Sequence, residues 1–214
     1  NATVELFETD LDTSWHGEGK TFIANAVADG TGHWSMSAFI PGGGMLGSTT
    51  ATDTALNTSE FSTNTVVAGE VWVNDDWRYN RFGDVVDGKV FGVTAFGTIQ
   101  DGVDAVAVNG TVHIMMGVYR EQVVIEKPGL TLDGAGRNLV FLRANGISDY
   151  PDVWAGGVNT FGIILNQDRQ EADNPIDITI RGLTIQKADA GIYMPRYSEN
   201  TLIENCGIQQ CLFG

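Results

Sequence analysis

Short apolar runs, broken every few positions by Gly, Asn or Asp, set the rhythm of this chain. Runs that alternate apolar with polar predict strands, because successive side chains of a strand face opposite ways. In residues 1–66 the predicted strands are Thr3–Glu8, Lys20–Ala28, His33–Phe39, Gly47–Asp53 and Glu60–Val66. Turn residues separate them at Asp29-Gly30-Thr31-Gly32, Pro41–Gly44 and Asp53–Asn57. This spacing predicts an antiparallel β-sandwich, incomplete because such sandwiches usually hold about seven strands.

From about residue 110 the pattern changes. The predicted strands are Thr111–Ile114, Gln122–Ile125, Leu130–Asp133, Val140–Arg143, Gly162–Leu165, Ile178–Arg181, Leu183–Gln186, Gly191–Met194, Thr201–Glu204 and Cys206–Gln209. The segments Ile178–Gln186 and Thr201–Gln209 align at an offset of 23 residues. Gly182 then falls on Asn205, Ile180 on Ile203, Ile185 on Ile208 and Gln186 on Gln209. A period of this length, with one Gly or Asn between two β tripeptides, predicts a solenoid with one coil per repeat. One coil cannot bury its own apolar residues, whereas stacked coils share a continuous core. The bend inside each coil needs a residue that tolerates positive φ, which Gly and Asn do best. Helix signal is confined to 98–107, where Ile99, Val103 and Val106 form one stripe. Thr98 stands at the N-cap position with Asp101 three residues on. The predicted organisation is thus all-β: a sandwich over 1–66, a lead-in over 67–97, and a parallel β-helix with a short capping helix over 98–214.

Composition narrows the function. The 27 acidic residues outnumber 12 basic ones, for a net charge of −15. Nucleic acid and anionic lipid, which need a basic footprint, are excluded as partners. No apolar window is long enough to insert in a membrane. The start, Asn1-Ala-Thr-Val, has neither the basic nor the apolar region of a leader, so a mature form or a fragment is expected.

Chemistry is sparse. His16, His33 and His113 are far apart, and neither HExxH nor GxSxG occurs. No catalytic residue is assigned. Carboxylates are the serious candidates: Asp133, Asp168, Asp173, Asp177 and Asp189 lie in or beside predicted coils, with Arg143, Arg181 and Arg196 as partners. The long segment 145–160 carries Tyr150 and Trp154, aromatic side chains suited to stacking on a sugar ring or to packing the loop down. Asp29, Asp53 and Asn57 are candidate Ca²⁺ ligands, and turn chemistry explains the same residues. No other cofactor is expected. Asn1, Asn57 and Asn109 begin N-glycosylation triplets. Cys206 and Cys211 are too few for a four-ligand zinc site, and a disulfide between them stays open beside two small buried thiols.

The stretches Ala95–Val106, Gly110–Tyr119 and Val124–Gly136 resemble the opening of pectin-lyase-like β-helix repeat proteins. Glu70–Trp77 resembles the lead-in of secreted members. This resemblance covers about 70–214 and implies a right-handed parallel β-helix capped by a short helix. Gly17–Phe22, Asp29–Ser35 and Thr50–Ser62 are similar to a bacterial immunoglobulin-like surface module, with Leu56 where that module usually has Gly. The pairing implies an extracellular, cell-surface protein with a structural or adhesive role. An open β-helix end at Gly214 would favour self-association into a layer or filament. The alternative is a carbohydrate-active enzyme, a lyase or hydrolase of acidic polysaccharide, or a non-catalytic glycan-binding module.

Overall fold

The computed structural model describes residues 2–9, 18–36, 44–62, 65–144, 160–165, 177–194 and 200–212. Two compact units divide the chain, Asn1–Ala68 and Gly69–Gly214.

In the first unit β1 (Thr3–Thr9), β2 (Gly19–Val27), β3 (Gly44–Thr52) and the start of β4 (Thr65–Val73) form one antiparallel sheet in the order β2-β1-β3-β4. Val4 and Leu6 are buried while Thr3 and Glu5 are partly exposed, as the alternation requires. A register shift after Leu6 interrupts that alternation. Beyond it, Phe7 meets Phe22 and Phe61 edge-on, at centroid distances of 5.8 and 5.6 Å. One expectation changes here, and one reaches beyond the described residues. His33–Met36 is not strand, because Asp29 draws this segment into a turn: its carboxylate accepts from the amides of Thr31 and His33. A sandwich needs two facing sheets, and the described residues of this unit form one.

Leu56 carries a local cost. It sits at φ 66°, the left-handed region, and is 84% exposed. A Cβ-bearing residue loses roughly 1–2 kcal/mol there. Leu56→Gly is therefore expected to stabilise this unit by up to about 1 kcal/mol, after the entropy of Gly is deducted. Thermal melts of the two proteins measure it.

In the second unit β4 ends beside β7 (Ala95–Phe96), pairing Trp72 with Ala95 in parallel. Between them lie a 3₁₀ turn at Asp75–Trp77 and a hairpin of β5 (Val85–Val86) and β6 (Lys89–Val90). Asp87 and Gly88 both have positive φ, which suits a two-residue hairpin turn.

Helix α1 (Ile99–Ala105) follows. The strands after it are β8 (Val106–Ile114), β9 (Gly117–Tyr119), β10 (Val123–Ile125), β11 (Thr131–Gly134), β12 (Val140–Arg143) and β13 (Phe161–Leu165), then β14 (Thr179–Arg181), β15 (Thr184–Gln186), β16 (Ala190–Tyr193), β17 (Leu202–Glu204) and β18 (Gly207–Gln209). Taken in chain order, they visit three parallel sheets in turn. One sheet holds β8-β11-β14-β17, the next β9-β12-β15-β18, and the third β10-β13-β16. That circulation defines a parallel β-helix. Nine of its eleven strands match the predicted runs to within a residue or so, β8 starts earlier, at Val106, and β9 had no predicted run.

The 23-residue register is observed directly. Ile180 pairs with Ile203, Ile185 with Ile208 and Gln186 with Gln209. Positive φ recurs at Asp177 and Asn200, at Gly182 and Asn205, and at Lys187 and Gln210, three corners repeating at the same offset. Inside the coils Val112, Leu132, Leu142, Ile163, Ile180 and Ile185 are fully buried, and branched aliphatic side chains stack from coil to coil. Each contributes roughly 1.5–3 kcal/mol on burial.

Helix α1 is one stripe wide, as predicted, with Ile99 and Val103 buried and Thr98 accepting from the Asp101 amide. Seven residues are too few to hold a helix alone. Side chains from around β10 clamp both ends. The Glu121 carboxylate accepts from the amides of Ile99 and Gln100 at 2.9 and 2.8 Å. The Lys127 ammonium donates to the carbonyls of Val103, Asp104 and Val106. Gln100 also bonds both backbone groups of Val124, covering the free edge of β10. Asp75 accepts from the Val118 amide on the edge strand β9. Edge amides that would otherwise invite a foreign strand are thus occupied.

Candidate functional site

The outward side chains of the sheet β8-β11-β14-β17 form two rows. His113, Asp133, Arg181 and Glu204 occupy consecutive strands in register, and Thr111, Thr131 and Thr179 form the row beside them. These residues face outward because Val112, Ile114, Leu132 and Ile180 take the inward positions.

Arg181 is the centre of the charged row. Its Nε and one terminal nitrogen bond Asp133 at 2.8 and 3.1 Å, and its other terminal nitrogen lies 3.9 Å from Glu204. This paired geometry holds the Asp133 carboxyl below the usual carboxylate range, with His113 adding to the effect. His113 lies 3.6 Å from Asp133 through Nδ1 and 3.8 Å from Glu70 through Nε2. Its ring stacks on Trp72 at 4.9 Å between centroids, and the Lys89 ammonium lies 4.5 Å from the Trp72 ring centroid. Glu70, Asp133 and Glu204, one guanidinium and one imidazole therefore converge on one face.

Asp133 is held ionised, so it accepts hydrogen bonds and stabilises positive charge but is a poor proton donor. Asp133 and Glu204 are two strands apart, about 9.6 Å between backbones. The reach of their side chains brackets the carboxylate separation used in inverting glycoside hydrolysis, roughly 6.5–9.5 Å. The pH consequence follows from the sign of the Asp133 shift. A lowered folded value contributes stability above the ordinary value of 3.8, and that stability is lost as pH falls through the lower folded value. Melts of the wild type and Asp133→Asn are expected to differ at pH 6 and to converge towards pH 2.

The other sequence candidates fall elsewhere. Tyr150, Trp154, Asp168, Asp173, Arg196, His16 and Asn1 lie outside the described residues. Asp177 accepts from Asn200 at 3.0 Å, linking neighbouring coils. Asp189 accepts from the Thr160 amide, and Arg143 donates to Gln186, which donates to Gln209. Asp29 is engaged by its own turn, and Asp53 accepts from Ala55 and from both the amide and the side chain of Asn57. These bonds lower both carboxyls, that of Asp29 chiefly through Thr31 and that of Asp53 chiefly through Asn57. No group of three or more metal-ligating His, Cys, Asp or Glu occurs among the described residues. Asn57 and Asn109 are exposed, Asn109 at φ 63°. Cys206 and Cys211 are both free thiols, and burial raises Cys206. No helix among the described residues is long and apolar enough to cross a membrane.

Asp133 and Arg181, expected from sequence among the carboxylates and their basic partners, do pair, whereas Glu70, Trp72 and Glu204 were not among the expected site residues. The usable signal was the outward position of each residue in its strand.

No protein-family model matches the chain, and no curated protein matches it. Among solved structures it is similar to a pectin methylesterase from carrot, at TM-score 0.39 and 17% identity over 66% of this chain and 38% of that one. It is also similar to a family 28 exopolygalacturonase of Yersinia enterocolitica, at TM-score 0.33 and 18% identity over 67% of this chain and 26% of that one. The chain thus spans less than half the length of either neighbour, and its assignment as a parallel β-helix rests on its own strand pairing.

Proposed function

We propose that this chain is a carbohydrate-directed β-helix protein of the cell exterior. The working face is the outward side of the sheet β8-β11-β14-β17, and the first unit is an immunoglobulin-like spacer. The observation that carries this reading is the convergence of Glu70, Asp133 and Glu204 with Arg181 and His113 on one face. Isolated surface pairs are common and weak. Here four ionisable groups are aligned by backbone register, Glu70 lies 3.8 Å from the first of them, and a row of threonines flanks three. Sugars are recognised through hydroxyls, which such acceptors and donors bind in fixed directions.

The test is a panel of neutral and acidic polysaccharides, with and without Ca²⁺. Binding is followed by affinity electrophoresis, and cleavage by new reducing ends or unsaturated products. At least one polymer is expected to bind, and Arg181→Ala is expected to weaken that binding about tenfold, the value of one charged hydrogen-bond pair. Cleavage abolished by Asp133→Asn would assign an enzyme; binding without cleavage would assign a glycan-binding module. Failure to bind any polymer would overturn the reading.

A further inference from the structure

We infer that the glycan held by this face is uncharged, and that the face rejects polyuronates. This rests on the proposed glycan-binding role and adds the class of ligand.

A uronate polymer presents repeated carboxylates, and each needs a cation or a neutral donor. The cations on this face are already engaged. Arg181 is bonded twice by Asp133 and approached by Glu204. His113 is placed between Glu70 and Asp133 and covered on one side by Trp72. Lys89 lies over the Trp72 ring and donates to the Asp87 carbonyl. The Glu70 and Glu204 side chains are 58% and 51% exposed, against 44% for Arg181 and 30% for His113, so the outermost charges of the face are negative. A polyanion laid on these rows would meet three carboxylates against one guanidinium and one ammonium. Like charges at such range repel, most strongly at low salt.

The wider charge agrees. Residues 69–214 contain nineteen acidic against eleven basic residues. What the face offers freely is hydroxyl chemistry. Thr111, Thr131 and Thr179 stand in register beside the charged row, one per strand. Threonine hydroxyls and open carboxylates suit the hydroxyls of a neutral sugar.

The experiment uses the full chain in affinity electrophoresis and calorimetry. The probes are a neutral β-glucan, a neutral mannan, polygalacturonate and alginate, each at 20 mM and 500 mM NaCl. The expected result is binding to a neutral polymer that changes less than twofold with salt, and no binding to either polyuronate at 20 mM. Polyuronate binding stronger than neutral binding, and weakened by salt, would overturn the inference while leaving the glycan-binding role intact. Binding to none of the four at either salt would remove that role, and this inference with it. Glu204→Lys adds a control on cause: it is expected to create polygalacturonate binding at 20 mM NaCl that disappears at 500 mM. If a variant that remains folded by circular dichroism gains none, charge is not what excludes the polyuronate.

Discussion

Replacing Gly182 with alanine is expected to destabilise the β-helix by about 3 kcal/mol and to lower its melting temperature by on the order of 10 °C. Two effects add. Gly182 has φ 71°, where a Cβ costs roughly 1–2 kcal/mol. The new methyl would also overlap the Gly134 carbonyl, on the coil below. That overlap is with backbone, which a rotamer change cannot relieve. The two glycines lie close because Gly136 donates to the Gly182 carbonyl at 2.9 Å, binding the two coils. Relieving the clash would open this bond, so roughly another 1–3 kcal/mol is expected from overpacking. Asn205 provides the control. It occupies the same corner one coil on, at φ 49°, so Asn205→Gly should alter stability by less than about 0.5 kcal/mol. Urea melts of the three proteins, read by circular dichroism, decide the matter. A Gly182→Ala protein as stable as the wild type would mean that the coils are not packed backbone to backbone.

The second large effect is expected from Lys127→Met, at about 2–3 kcal/mol. Methionine keeps the aliphatic bulk and removes the ammonium. Three carbonyls at the end of α1, those of Val103, Asp104 and Val106, would lose their shared donor. Each unpaired group in a half-buried position costs roughly 1 kcal/mol or more. Burial pulls the Lys127 ammonium below the ordinary lysine range, and Asp104 partly offsets this. The site is therefore a strained place for a cation, and its carbonyls justify it. The loss should be local before it is global. Hydrogen exchange is expected to speed up in Gly102–Val106, and then at Val124, whose amide depends on Gln100 in the same helix. Unchanged exchange there would show that Lys127 does not hold the helix.

Much of this architecture was legible in sequence because it depends on local rules. Inward strand positions had to be Val, Ile or Leu, and corners had to tolerate positive φ, so Gly182 and Asn205 stood out. The capping helix was legible from Thr98 and one apolar stripe. Strand β9 was missed because Gly117-Val118-Tyr119 is too short to alternate. The β5–β6 hairpin was missed although Asp87-Gly88 between valines is a hairpin signal. The sandwich expectation went further than the described residues, since one sheet with alternating burial has the same pattern as half of two.

The charged row lay beyond local rules. His113 and Asp133 are 20 residues apart, Asp133 and Arg181 48, and Arg181 and Glu204 23. No constant period links these residues, because the length of each insertion is independent of the strands it joins. By itself the sequence determined which side chains enter the core, where the coils bend, and that the chain is strongly acidic; each follows from residue type and near neighbours. Only the tertiary structure decided which outward side chains meet. Parallel pairing places residues from distant coils about 4.8 Å apart, and that register turns separate charges into one face.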